Sequence, residues 1–172
     1  MKEALQNVLT RRSVRSFTPQ PIPRETLALI AEAANQAPSA MNRQLNQYTV
    51  IDDPAKIARL AAAVGKVLGN LDYNFYHPTA LILCTAPRDS RFGVEDCACA
   101  MENIFLAANA LGIGSVWINQ LKGNCDDPRI REVLTSFGVP ADHVGYGTAA
   151  LGFPAAPTGN RPRRADAIVW AD

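Results

Sequence analysis

At 172 residues, with 48% hydrophobic and 19% charged side chains and a net charge of +1, the chain has the balance of a globular protein with a substantial core. That balance excludes a disordered chain or a nucleic-acid-coating surface, so no nucleic-acid partner is expected. The length and the lack of a linker-like stretch predict one domain over residues 1–172.

No stretch approaches the roughly 18 uncharged apolar residues of a membrane span, and Met1-Lys2-Glu3-Ala4-Leu5 lacks a signal peptide's apolar run. No membrane association and a cytoplasmic location are therefore expected. Cys84, Cys97, Cys99 and Cys125 form neither a paired CxxC arrangement nor a set with histidine at zinc spacing, so free thiols and no metal site are expected. Cys97 and Cys99, two apart on a predicted helix, point to different faces. His77 and His143 stand near turn signals with no nucleophile at a recognisable spacing and receive no catalytic role.

In chain order, Leu5, Val8 and Leu9 share one face of a short helix over residues 2–10. It delivers Arg11-Arg12-Ser13-Val14-Arg15-Ser16-Phe17, a cluster of guanidinium groups and hydroxyls at a helix exit. Such forks match phosphate or carboxylate oxygens bidentately, although arginines near a helix end also serve simply as solvated surface. Pro19-Gln20-Pro21-Ile22-Pro23 is an extended connector. Pro23 suits the first position of a second helix running to about residue 37, with Leu27, Ile30, Ala31 and Ala34 inward. The polar loop Ala37-Pro38-Ser39-Ala40-Met41-Asn42-Arg43-Gln44 follows.

Tyr48-Thr49-Val50-Ile51 reads as a strand, and Asp53-Pro54 as cap and first residue of a helix carrying Ile57, Leu60, Ala61 and Val64, ended by Gly65 and Gly69. An aromatic-rich irregular segment spans residues 70–78. Ala80-Leu81-Ile82-Leu83-Cys84 is apolar throughout, which implies a strand covered on both faces. From Val94 to Leu111 a helix is apolar almost all round, with acidic residues at its start and Gly112 at its C-cap. A subunit interface and a central core position both explain that surface.

Gly112-Ile113-Gly114-Ser115-Val116-Trp117-Ile118 is a glycine turn entering a strand, which is not the dinucleotide-binding arrangement. Asp127-Pro128 opens a helix with Ile130, Val133, Leu134 and Phe137, closed by Gly138. Gly145 to Pro154 is the last strand, and its alternating small residues predict close approach of another group. Thr158-Gly159-Asn160-Arg161-Pro162-Arg163-Arg164 is a second basic cluster. It reads as a solvated tail, or as a partner of the first cluster around one anion.

The order of these features resembles the FMN-dependent nitroreductase family. The resemblance rests on residues 11–17, 37–44, 110–118, and Leu151-Gly152-Phe153-Pro154 followed by Arg161-Pro162-Arg163. It implies an α+β nitroreductase-like fold with a mixed, mainly antiparallel central sheet flanked by helices, and a homodimer with FMN at the subunit interface.

Carried over by position, Arg11 and Ser13 take the FMN phosphate and ribityl chain, with contacts from Arg12. Arg15 lies at the N1/O2 edge of the ring, where a fixed cation favours hydride acceptance. Pro38, Ser39 and Asn42 resemble residues reaching the flavin from the partner subunit, followed by Gln44. Asn119 and Gln120 occupy the place of a backbone N–H offered to N5, Arg161 and Arg163 match a basic pair closing on the phosphate, and Asn70 is a further polar contact to the flavin. The chain departs from the family at Leu45-Asn46, where an aromatic often stands, and is too short for the helical excursion over the active site.

The resemblance implies hydride transfer from NADH or NADPH through FMN to a small electron-poor acceptor such as a nitroaromatic or quinone, with no side-chain acid, base or nucleophile required. A non-catalytic FMN-binding or redox-sensing protein, and a plain phosphate-metabolite binder, are the alternatives.

Overall fold

The computed structural model describes residues 2–159, 162–164 and 167–171. Among the described residues five α-helices, α1 (Glu3–Thr10), α2 (Arg24–Asn35), α3 (Pro54–Leu68), α4 (Gly93–Ala110) and α5 (Pro128–Ser136), surround four strands. The strands are β1 (Gln47–Ile51), β2 (Ala80–Pro87), β3 (Gly114–Ile118) and β4 (His143–Gly152), in the order β1-β2-β4-β3. All three ladders are antiparallel. The mixed character shows outside them, as one parallel bridge between Ser13 and Ser115.

Central β2 sorts its side chains by strict alternation. Leu81 and Leu83 enter a core with α3 and α5, whereas Ala80, Ile82, Cys84 and Ala86 enter a second core with α2 and α4. The α+β architecture is therefore three layers with the sheet in the middle. Asp53 and Asp127 cap α3 and α5 by accepting the N–H groups of Ala55 and Arg129, with Pro54 and Pro128 behind them. No helix among the described residues is long and apolar enough to cross a membrane.

Several boundaries differ from expectation. Pro23 is the N-cap of α2 rather than its first residue, and α2 ends at Asn35. Gly65 lies inside α3, because the Asn70 carbonyl stands 2.5 Å from the place a Cβ would occupy. The helix stops at Gly69, whose φ of 67° closes it in the left-handed conformation. Helix α4 is a core helix: Cys97, Ala100, Met101, Ile104 and Ala108 are buried, and it packs against α2, β2, β3 and β4. Cys97 is buried and Cys99 exposed, as their spacing requires.

The close approach expected at the last strand occurs twice where the arginine segment docks. Gly114 and Gly152 pair directly across β3 and β4. Val14 sits over the first, 2.9 Å from its ideal Cβ position, and Phe17 over the second at 2.8 Å. The Val14 N–H donates to the Ser115 carbonyl at 2.9 Å, Thr18 N–H to Phe153 at 2.8 Å, and Ala155 N–H to Ser16 at 3.0 Å. Two side-chain pegs and three backbone bonds thus lay residues 13–18 along the sheet margin.

Candidate functional site

Pinning Val14 and Phe17 inward leaves Ser13 and Arg15 pointing outward. Arg11, Arg12, Ser13 and Arg15 line a cavity of about 250 Å³, closed from the C-terminal side by Thr158, Gly159 and Arg163. Among the described residues no carboxylate lines it, so its field is positive and suits an anion. Arg163 therefore meets the first cluster, as the two-cluster expectation requires. Arg161 lies outside the described residues.

Arg11 and Arg12 also have protein partners that fix their heads. Arg11 Nε lies 3.5 Å from Glu102 Oε1, and its guanidinium stands 5.9 Å from the Phe105 ring centroid. Arg12 Nη1 donates to the Leu9 and Arg11 carbonyls, each at 2.8 Å. Both heads are thereby held in place beside the cavity, which lowers the cost of presenting them to a ligand.

Arg15 also lines a second cavity of about 650 Å³, so the two adjoin through one side chain. The larger one is bordered by Asn70, Asp72, Tyr73, Asn74, Phe75 and Tyr76 on one side and by Trp117, Ile118, Asn119 and Gln120 on the other. Asn70, Asn119 and Gln120 are thus brought together with Arg15. The Asn119 N–H, expected to face a ligand, donates to Gln120 Oε1 at 3.1 Å.

The wall built by residues 72–76 is the part the sequence did not assign to the site. Phe75, Tyr76 and His77 form three consecutive left-handed residues, with φ of 54°, 69° and 53° and no glycine among them. Phe75 is buried against the edge of the Tyr73 ring at 4.8 Å, and Asn74 accepts the Tyr76 N–H through Oδ1 at 3.0 Å and the His77 N–H through its carbonyl at 2.9 Å. This turn sends Phe75 to the core and Tyr76 to the cavity, where the Arg15 guanidinium lies 6.0 Å from the Tyr76 ring centroid. Burial pushes the Tyr73 hydroxyl pKa up, and that hydroxyl has no hydrogen-bond partner among the described residues, so it remains a neutral wall group. The aromatic density of residues 70–78 was the available signal.

A groove of about 680 Å³ between α3 and the proline connector is slightly larger, but Asp52 and His77 are its main charged or titratable side chains besides Tyr73. Its chemistry does not suit an anionic ligand.

The second motif lies elsewhere. Ser39 and Gln44 border a crevice of about 20 Å³ with Asn35, Ala37, Asn46 and Tyr48, and neither they, Pro38 nor Asn42 reach the arginine cavities. Pro38, Asn42 and Gln44 are exposed. The loop is held in shape by Ser39 Oγ accepting the Gln44 N–H at 3.0 Å and by Gln44 Nε2 donating to Asn42 Oδ1 at 2.9 Å. Within one chain, then, the structure assembles Arg11, Arg12, Ser13, Arg15, Asn70, Asn119, Gln120 and Arg163, and leaves the 38–44 set outside.

Comparison with known proteins identifies the family and the fold. A solved nitroreductase with bound FMN from Bacteroides fragilis is 35% identical and superposes with a TM-score of 0.95 over 100% of both chains. A nitroreductase with bound FMN from Desulfitobacterium hafniense, 24% identical, shares the fold at a TM-score of 0.90 over 100% of both chains. An Archaeoglobus fulgidus protein provisionally named NADH dehydrogenase/NAD(P)H nitroreductase is 34% identical over 160 residues, covering 90% of this chain and 87% of its own. The nitroreductase family profile matches residues 8–153, and the chain belongs to that family.

Proposed function

We propose that this protein is an FMN-dependent oxidoreductase that moves hydride from NADH or NADPH through FMN to a small electron-poor acceptor such as a nitroaromatic or quinone. The observation that carries the reading is the junction at Arg15: an arginine-lined cavity, with no carboxylate among its described lining residues, adjoins a larger polar and aromatic one. A cofactor with a phosphate at one end and a flat ring at the other matches that sequence of environments. Relatives named FMN reductase and NADPH-flavin oxidoreductase support the same activity.

Arg11, Arg12, Ser13 and Arg163, joined by Arg161, would hold the phosphate end. Asn70, Asn119 and Gln120 would border the ring. When bound, FMN supplies the hydride relay. Arg15 supplies a fixed positive charge at the N1/O2 edge, which favours the anionic reduced ring. The cavity needs no proton-transferring side chain, and the neutral Tyr73 wall excludes water from one side.

The same reading makes the protein a homodimer with the flavin at the interface. Helix α1 buries none of its residues, and Leu5, Val8 and Leu9 are 51–52% exposed. Ile168, Val169 and Trp170 are 75–85% exposed. Apolar surface of this extent calls for a partner, and Pro38, Ser39, Asn42 and Gln44 would then reach the flavin of the second subunit. The cytoplasm, with its NAD(P)H supply and reduced thiols, is the matching compartment.

Purified protein should be yellow, or become so with added FMN, and should then oxidise NAD(P)H when a quinone or nitroaromatic is present. A protein that takes up no FMN would overturn the reading. Flavin uptake without turnover on any acceptor would leave a non-catalytic flavin-binding protein in its place.

A further inference from the structure

Loop 39–44 carries unusual backbone for its composition: Met41, Asn42 and Gln44 all have φ between 51° and 53°. Most of its hydrogen bonds are internal, joining Asn42 to Ser39, Arg43 to Ala40, and Gln44 to Ser39 and Asn42. Such bonds give the loop a shape but not a place. Among the described residues, one hydrogen bond ties residues 39–44 to a distant element. The Ala40 N–H donates to Asp96 Oδ1 at 2.9 Å, across 56 positions of sequence.

Asp96 is a buried carboxylate, 6% exposed, in the first turn of α4, and no ion pair to a lysine or arginine is formed by it among the described residues. Burying a carboxylate costs free energy that a neutral side chain would avoid. What stabilises it is the N-terminal end of the helix together with the Ala40 N–H. Helix α4 is rigidly seated, with Cys97, Ala100, Met101 and Ile104 in the core. It also presents Glu102 to Arg11. One rigid element thus touches both the arginine segment and the detached loop.

We propose that Asp96 is a positioning residue for the flavin site of the opposite subunit, fixing loop 39–44 so that Pro38, Ser39, Asn42 and Gln44 meet the cofactor in a preset geometry. This rests on the reading above that these residues seat FMN across a dimer interface. Asp96 itself touches no ligand; it removes the freedom the loop would lose on binding.

The test uses FMN titration of the apo dimer, monitored by quenching of flavin fluorescence, with light scattering for mass and circular dichroism for fold. Asp96→Ala removes the acceptor and Asp96→Asn keeps a carbonyl oxygen in its place. Ala40→Pro removes only the donor, and Ser39 at φ −128°, ψ 151° already has the extended backbone a following proline demands. Loss of a charge-assisted hydrogen bond predicts that Asp96→Ala and Ala40→Pro weaken FMN binding by about tenfold or more, while Asp96→Asn stays within about threefold. Wild-type affinity in Asp96→Ala, or no rescue by Asp96→Asn, overturns the inference.

A mixed dimer tests the direction of action. With Asp96→Ala in one subunit and Arg11→Ala plus Arg15→Ala in the other, positioning across the interface places all defects at one site and leaves one tight FMN per dimer. A dimer with no tight site overturns the proposal. Wild-type protein that binds no FMN, or binds it as a monomer, instead overturns the functional reading beneath it.

Discussion

Replacing Gly114 by alanine should damage both stability and flavin binding through a single contact. An ideal Cβ at Gly114 falls 2.9 Å from Val14 Cβ and Cγ1 and 3.0 Å from Cγ2. The obstacle is a β-branched side chain with little freedom about χ1, buried, on a residue whose N–H is bonded to the adjacent Ser115 carbonyl. It cannot rotate aside, so the segment carrying it must move. Overpacking of this kind costs about 1–3 kcal/mol, which for a chain of this size lowers Tm by roughly 3–10 °C. Ser13 and Arg15 flank Val14 and move with it, so FMN affinity should fall as well. Calorimetry of the apo protein and flavin titration measure the two effects separately. The double variant Gly114→Ala with Val14→Gly removes all three atoms that the new methyl group would meet, so its destabilisation should be smaller than the sum of the single effects by about 1 kcal/mol. Additive losses, or a Gly114→Ala protein melting at the wild-type temperature, would refute the peg-and-glycine account of how the arginine segment is held.

Arg15→Ala should slow flavin reduction by NAD(P)H more than it weakens FMN binding, because Arg15 joins the two cavities while Arg11, Arg12 and Arg163 remain around the smaller one; stopped-flow rates equal to wild type would remove its assigned role. His143 is buried with Nδ1 3.1 Å from Thr85 Oγ1, and burial, opposed by Asp142 and reinforced by Arg131, lowers its pKa from the ordinary 6.5. A depressed histidine stabilises the fold fully above its unfolded pKa and loses that contribution as pH falls from about 6.5 through the folded value. Tm should therefore drop as pH falls below about 6.5, and His143→Gln should flatten that drop. Asp126 is held well below the usual carboxylate range by Arg88 and Arg131, so its contribution persists until pH falls below about 4 and does not confuse the measurement. Leu5→Glu, in the first turn of α1 where a negative charge suits the helix, should leave monomer stability within about 0.5 kcal/mol yet split the dimer and lower FMN affinity together; an intact dimer by light scattering would place the interface elsewhere.

How far the sequence discloses this protein depends on whether a residue's role is local. Capping by Asp53 and Asp127, the two-faced burial of β2 and the clustering of the arginines at positions 11, 12 and 15 follow from side-chain chemistry and periodicity, and all are present. The small residues of the last strand announced a close approach, and Gly152 beneath Phe17 is that approach. Gly65 misled because glycine has two uses. As a helix terminator it is recognised from sequence, whereas here it admits the Asn70 carbonyl against the side of α3, a contact set by the return of the chain.

The turn at Phe75–His77 was illegible for a deeper reason. Left-handed backbone costs about 1–2 kcal/mol per non-glycine residue, so no local propensity can predict three in a row. The conformation is maintained from outside the segment and just before it, by burial of Phe75 and by Asn74 accepting two successive N–H groups. A right-handed turn here would not place Phe75 in the core and Tyr76 in the cavity together. The strain therefore falls on Phe75 and Tyr76, which wall the larger cavity, and on His77 beside them. The arginines could be read because charge identifies them in any conformation; the wall could not, because its identity is its conformation.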